Sequence, residues 1–258
     1  MKHYIIILFF ISACSSTLFA QTHQQVLDAD SLYKLEDYNS AIQLYKASMS
    51  PTVNIWKYNL NYSVALCYYR LGNYDSAISY AKASLRINKK HKEYITTQEV
   101  GNFLLARVYS QMQKDSIAYQ HYKLAVRYSI NPSLLASAGH KALQLGELNA
   151  AKQWLLKAIS LDSNNFIVLN NLASYYVKTN QLQEATRMVN QSIDICPTNA
   201  SARLTLARLL IKKNAYEEAC MQLAFAEANL AFTSCVDIRY SNEGLAEEIA
   251  DLRKQYCK

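Results

Sequence analysis

Six times along the chain a small residue stands twelve positions after another small residue, and this spacing limits the fold more than any other feature. Alanine occupies positions Ala41, Ala77, Ala118, Ala151, Ala185 and Ala219, in steps of 36, 41, 33, 34 and 34. Twelve residues before each lie Ala29, Ala65, Ala106, Gly139, Ala173 and Ala207. Two positions that hold one register through six copies define an internal repeat. A period of a few dozen residues points to an array of supersecondary units, each burying its apolar side against the next.

Between the paired small residues the helical pattern breaks, as at Leu71-Gly72-Asn73-Tyr74, Leu145-Gly146-Glu147-Leu148 and Asn180-Gln181-Leu182. On either side the apolar residues return at helical spacing, for example Leu169, Leu172, Ala173 and Tyr176. Each unit therefore reads as two antiparallel helices joined by a tight turn. Small residues are needed where the helices cross most closely, because a larger side chain at either point would wedge them apart. Pro51, Pro132 and Pro197 all fall at unit ends, where a missing backbone donor costs least. Five glycines and three prolines in 258 residues suit a helical chain rather than a loop-rich or β-rich one.

This pattern resembles the tetratricopeptide repeat family, in which units of 34 residues keep small residues at the two crossing points. The fullest matches are Leu169, Leu172, Ala173 and Tyr176 with Ala185 and Pro197, and Tyr68 with Gly72-Asn73-Tyr74 and Ala77. The resemblance implies an all-α fold, a right-handed α-solenoid of about six helix-turn-helix units. They are expected at about 22–55, 58–91, 99–132, 132–165, 166–199 and 200–233, within an array spanning 21–235. Residues 92–98 read as an insertion, and the turn at Gln113-Lys114-Asp115 departs most from the family pattern. A capping helix is expected in 236–258, where NEGLAEEIADLRKQYC carries acids near its start and Arg253 and Lys254 near its end.

The N-terminus, MKHYIIILFFISACSSTLFAQ, has a short basic start, an apolar run and small residues. Its apolar run is far shorter than the roughly 20 residues a bilayer span requires, so it reads as an export signal. Cleavage after Ala20 is expected. The rival is a lipoprotein signal ending before Cys14, which would make Cys14 a lipid anchor and the only tie to a membrane. Either way the mature protein is expected outside the cytoplasm, periplasmic or extracellular.

Export permits disulfides among the remaining cysteines, 67, 196, 220, 235 and 257. Some exported proteins that resemble this family carry a cysteine after Glu-Ala and a terminal Tyr-Cys, matched here by Glu218-Ala219-Cys220 and Tyr256-Cys257. That likeness, with antiparallel packing of the last helices, implies a Cys220–Cys257 staple on the cap. Cys235 paired with either of them is the alternative. Cys67 lies mid-helix and reads as a small core residue.

No metal set, phosphate loop, dinucleotide fingerprint or nucleophile elbow is present, and the histidines are scattered among units. The reading is of a non-enzyme without cofactors or catalytic residues. A net charge of +7 is moderate and gives no reason to invoke nucleic acid. What remains is surface. In repeats of this family the first helices line a concave groove, and helical register places there Tyr33, Lys34, Tyr62, Tyr69, Arg70, Phe103, Arg107, His140, Asn170, Lys178, Arg208 and Lys212. The first half of this row is aromatic and a discontinuous basic row runs its length, which suits an acidic protein or peptide partner. The reading is a monomeric envelope adaptor, the alternative being an accessory or receptor subunit that takes a peptide or glycan.

Overall fold

The structure is a computed structural model that describes residues 20–49, 57–86, 90, 94–127, 129–230 and 243–257. The expected leader up to Phe19, including Cys14, and the segment 231–242, including Cys235, lie outside the described residues. Among the described residues all regular structure is helical. The helices are α1 (20–34), α2 (Tyr38–Ala47), α3 (Lys57–Arg70), α4 (Tyr74–Ser84), α5 (Tyr94–Gln111), α6 (Asp115–Ala125) and α7 (Pro132–Gln144). They continue with α8 (Leu148–Leu161), α9 (Phe166–Lys178), α10 (Leu182–Ile195), α11 (Ala200–Lys212), α12 (Tyr216–Ala228) and α13 (Glu243–Tyr256). The chain divides into two compact units, one ending at Tyr128 and one starting at Ser129.

From α1 to α12 the helices pair as six hairpins, and one device closes all six. The residue five before each marker alanine adopts left-handed backbone: Glu36, Gly72, Gln113, Gly146, Asn180 and Asn214, with φ between 57° and 76°. The next amide reaches back over the turn, as Asn73 N to Tyr68 O and Gln181 N to Tyr176 O, both 2.9 Å. The left-handed residue's own amide bonds one carbonyl nearer, as Gly72 N to Tyr69 O at 3.1 Å. This paired closure satisfies helix-end carbonyls that would otherwise be orphaned. Glycine and asparagine accept such a φ readily, whereas Glu36 and Gln113 hold it against a steric cost.

The paired small residues sit where the crossing argument puts them. Every alanine of the set is fully buried, and Gly139 is buried as well. A Cβ added to Gly139 would meet the buried Leu155 side chain at 2.7 Å. In the first unit one core joins α1, α2 and α3 through Ala29, Ile42, Tyr45, Leu60 and Val64. A second joins α3 to α6 through Ala65, Ala77, Leu104, Leu105 and Val108. Residues 94–98 of the expected insertion are helix: they lengthen α5 to 18 residues, and Gln98 donates to the Leu85 carbonyl at the end of α4 at 3.0 Å.

In the second unit each first helix opens on an asparagine cap, Asn131, Asn165 and Asn199, at a spacing of 34. Each side-chain oxygen accepts from an amide in the first turn and removes an unpaired donor. At the far end α13 covers the last hairpin. Ile249 is 1% exposed and packs among Leu204, Ala207, Leu223 and Ala226. Arg253 pairs with Glu227, and Tyr216 stacks on Tyr256 with ring centroids 5.5 Å apart. Cys220 and Cys257 are disulfide-bonded, with Cα atoms 5.6 Å apart, which leaves neither for the alternative pairing. Cys196 is also disulfide-bonded. Cys67 is a buried free thiol whose pKa burial pushes up to about 12.

Candidate functional site

The residues singled out by register fall on two faces, one in each unit, and the faces differ in chemistry. In the first unit six of the seven register residues join one connected strip across α1, α3 and α5. The Arg70 Nε donates to the Tyr33 hydroxyl at 3.2 Å. The Arg107 guanidinium lies over the Tyr69 ring at 4.8 Å and nearer the edge of the cation–π range from Phe103 at 5.8 Å. Tyr62 connects the two ends: burial raises its pKa, Arg107 pulls it down and Tyr33 pushes it up, so both neighbours are within electrostatic reach. Tyr69 also touches Tyr74, and Phe103 touches Tyr122.

The sequence fixes this placement through the helical period. Tyr62, Tyr69 and Arg70 share one side of α3, and Phe103 and Arg107 are one turn apart on α5. The aromatic residues are half-buried, with Tyr62 and Tyr69 packed on the core, so their rings are held in place. Arg70 is exposed and Arg107 half-buried, yet neither has a carboxylate partner among the described residues. Two guanidiniums oriented by aromatic contacts and short of counter-charge can take carboxylates with charge-assisted bonds. Lys34, the seventh, is exposed.

In the second unit two of the five register residues, Lys178 and Arg208, are bound into the protein itself. Side-chain bridges link α7 to α9, α9 to α11, and α11 to the cap α13. Between α7 and α9, Asn171 Nδ2 donates to the Ala136 carbonyl at 3.1 Å and Lys178 Nζ to the Leu143 carbonyl at 2.9 Å. Between α9 and α11, Ser174 and Thr205 share a hydrogen bond at 3.2 Å. Between α11 and α13, Arg208 pairs with Glu248. Lys178 and Arg208, both expected to face a partner, each make an internal contact. Sequence register gives the face of a helix but not how far a long side chain folds back. His140 and Lys212 remain exposed, and Asn170 is 7% exposed with its Oδ1 lacking any partner.

Two of these residues belong together electrostatically. Crowding by the surrounding helices, then the charges of Lys141, Arg208 and Lys178, holds the His140 imidazole well below its ordinary pKa, against a raising hydrogen bond with Asn171.

Models of the tetratricopeptide repeat match residues 58–91, 133–165 and 154–187. The chain is similar in structure to a tetratricopeptide repeat protein from Parabacteroides merdae, at 16% identity and a TM-score of 0.57, over 90% of this chain and 98% of that one. Residues 58–91 and 133–187 are therefore tetratricopeptide repeats. Its fold is also similar to that of YrrB, described as a repeat protein with an unusual peptide-binding site, at 16% identity and a TM-score of 0.56, over 74% of this chain and 94% of that one. The type IV pilus biogenesis factor PilW gives 13% identity and a TM-score of 0.65, over 83% of this chain and 95% of that one. At these identities the likeness is one of fold. No curated protein sequence matches the chain. The repeats make this a protein–protein interaction fold, and the two first-helix faces are its candidate surfaces.

Proposed function

We propose that this repeat protein is an exported, non-catalytic adaptor of the bacterial cell envelope that takes an acidic peptide or helix of a partner protein on the aromatic–arginine strip of its first unit. The observation that carries this reading is that, among the described residues, no carboxylate pairs with Arg70 or Arg107, each held instead by aromatic side chains. Half-buried Tyr33, Tyr62, Tyr69 and Phe103 offer contact area that is already ordered, so little side-chain entropy is lost on binding. The peptide-binding site of YrrB, on the same fold, lends support to a peptide as the occupant. Export rests on the N-terminal leader and on a disulfide-bonded cap, which suits an oxidising compartment.

The test is crosslinked co-purification from the native envelope, comparing wild type with an Arg70→Gln, Arg107→Gln variant. These changes leave the rings and their packing in place. Loss of a defined acidic partner from the variant is the expected result. An unchanged partner set would remove this strip from consideration. Mass measurement of the mature N-terminus in the same sample separates cleavage after Ala20 from lipidation at Cys14.

A further inference from the structure

Cys196 is disulfide-bonded, and none of the other described cysteines can be its partner. Cys220 and Cys257 are bonded to each other, and Cys67 is a free thiol. The chain has six cysteines, so the partner is Cys14 or Cys235, both outside the described residues. Neither route of export leaves Cys14 a thiol: cleavage after Ala20 removes it, and lipidation makes its sulfur a thioether. The Cys196 side of the bond is firmly placed. Cys196 closes α10 and is 3% exposed. Its amide donates to the Ser192 carbonyl at 3.0 Å, and its carbonyl accepts from the Asn199 amide at 3.1 Å. The next carbonyl, of Pro197, accepts from two nitrogens of Arg203, at 3.3 and 3.2 Å. The same guanidinium lies 4.2 Å from the centre of the Phe225 ring and donates to Gln222 Oε1 at 3.0 Å. The turn that carries Cys196 is therefore tied to the last two turns of α12, the helix from which the chain runs on to Cys235. Seven residues separate Ala228 from Cys235. Extended, they could reach about 25 Å, ample for a return to the turn beside α12.

We infer that Cys196 is joined to Cys235, so that the mature chain carries two disulfides and a single thiol, Cys67. The inference rests on the reading of an exported protein and is independent of the acidic partner.

The bond forms by exchange. One thiolate of the pair attacks the disulfide of an oxidised thiol oxidoreductase, and the second displaces that enzyme's sulfur from the mixed disulfide. The two cysteines lose two protons and two electrons, and the oxidoreductase takes the electrons as its own dithiol. Attack requires a thiolate. Burial pushes the Cys67 thiol up to about 12, so Cys67 stays protonated and does not reshuffle the bonds. The two closed loops overlap between residues 220 and 235. The cap is thereby tethered on both sides of α13, at Cys257 just after it and at Cys235, eight residues before Glu243. A repeat array needs its terminal apolar face covered, and two tethers hold α13 there more firmly than one.

The experiment takes the protein from its native envelope, alkylates it at lysis under denaturing, non-reducing conditions, and digests it with trypsin and a glutamate-specific protease. These cuts place Cys196, Cys220, Cys235 and Cys257 in four peptides, 188–203, 219–227, 228–239 and 255–258. Mass spectrometry should find 188–203 linked to 228–239 and 219–227 linked to 255–258, with Cys67 alone alkylated. In Cys196→Ser, Cys235 should become alkylated while the Cys220–Cys257 bond persists. A Cys196→Ser protein whose Cys235 stays unalkylated would overturn the inference. Alkylated Cys196 beside an intact Cys220–Cys257 bond would overturn it and leave export standing. Linkage of Cys196 to Cys14 would overturn it together with both routes of leader processing, and alkylation of every thiol would overturn it together with an oxidising compartment. Arg70 and Arg107 take no part in this readout, so it fails or succeeds separately from the co-purification test.

Discussion

The two units solve one problem with different chemistry. Each must join successive first helices along a face that is not sealed by second helices. The first unit uses aromatic rings and guanidiniums, as in the Arg70–Tyr33 and Arg107–Tyr69 contacts. The second uses short polar bridges, Asn171 to Ala136, Lys178 to Leu143, Ser174 to Thr205 and Arg208 to Glu248. A cation–π contact orients a positive charge without neutralising it, whereas a carbonyl or carboxylate bridge spends it. Similar residue types at equivalent register can therefore be recognition groups in one unit and structural ties in the other.

The strongest way to separate the units is through the cap, which only the second one has. Cys220→Ser with Cys257→Ser should lower the stability of the second unit by about 2–4 kcal/mol. Hydrogen exchange should then accelerate in α12 and α13 and stay unchanged in α1 to α6. Overpacking the hairpin crossing comes next. In Gly139→Val the new side chain runs into buried Leu155, at a cost of about 1–3 kcal/mol, read as a lower denaturant midpoint for α7 and α8. The third comparison sets Arg107→Gln against Lys178→Gln. The first should weaken capture of the acidic partner tenfold or more and change stability by less than about 0.5 kcal/mol. The second should cost about 1 kcal/mol, because it removes a donor from the exposed end of α7. Equal binding losses in both would mean that the two faces do the same work.

How much of this was legible depends on which link of the chain is considered. The hairpins follow from local rules: apolar period, a small residue at each crossing, a turn five residues before the marker alanine. All of these are written in contiguous sequence, and the all-helical repeat fold follows from them. The asparagine caps at 131, 165 and 199 were equally local, with side-chain acceptors just before each apolar run, and a search for cap residues at the repeat period would have found them. The fates of Lys178 and Arg208 were not legible. Their partners, Leu143 and Glu248, lie 35 and 40 residues away, and only the packed helices decide whether a long side chain reaches them. The strip from Tyr33 to Arg107 was visible as residues on one face, but its cation–π order was not.

The smallest effect concerns the turns, where the two units differ again. The second unit uses Gly146, Asn180 and Asn214 for the left-handed position, all residue types that tolerate it, while the first has Glu36 and Gln113 beside Gly72. If the φ of 57° at Gln113 costs what a side chain normally incurs there, Gln113→Gly should stabilise the first unit by about 1 kcal/mol. The larger entropy of glycine in the unfolded chain opposes this and takes back part of the gain. The same change at Asn180 should give close to nothing, because asparagine already adopts the conformation at little cost. The measurement is the denaturant midpoint of each variant read through exchange-resistant amides in its own hairpin. A Gln113→Gly variant no more stable than Asn180→Gly would mean that the closing bonds Lys114 N to Tyr109 O and Gln113 N to Ser110 O fix the turn without residual strain, and that the two units differ only in their faces.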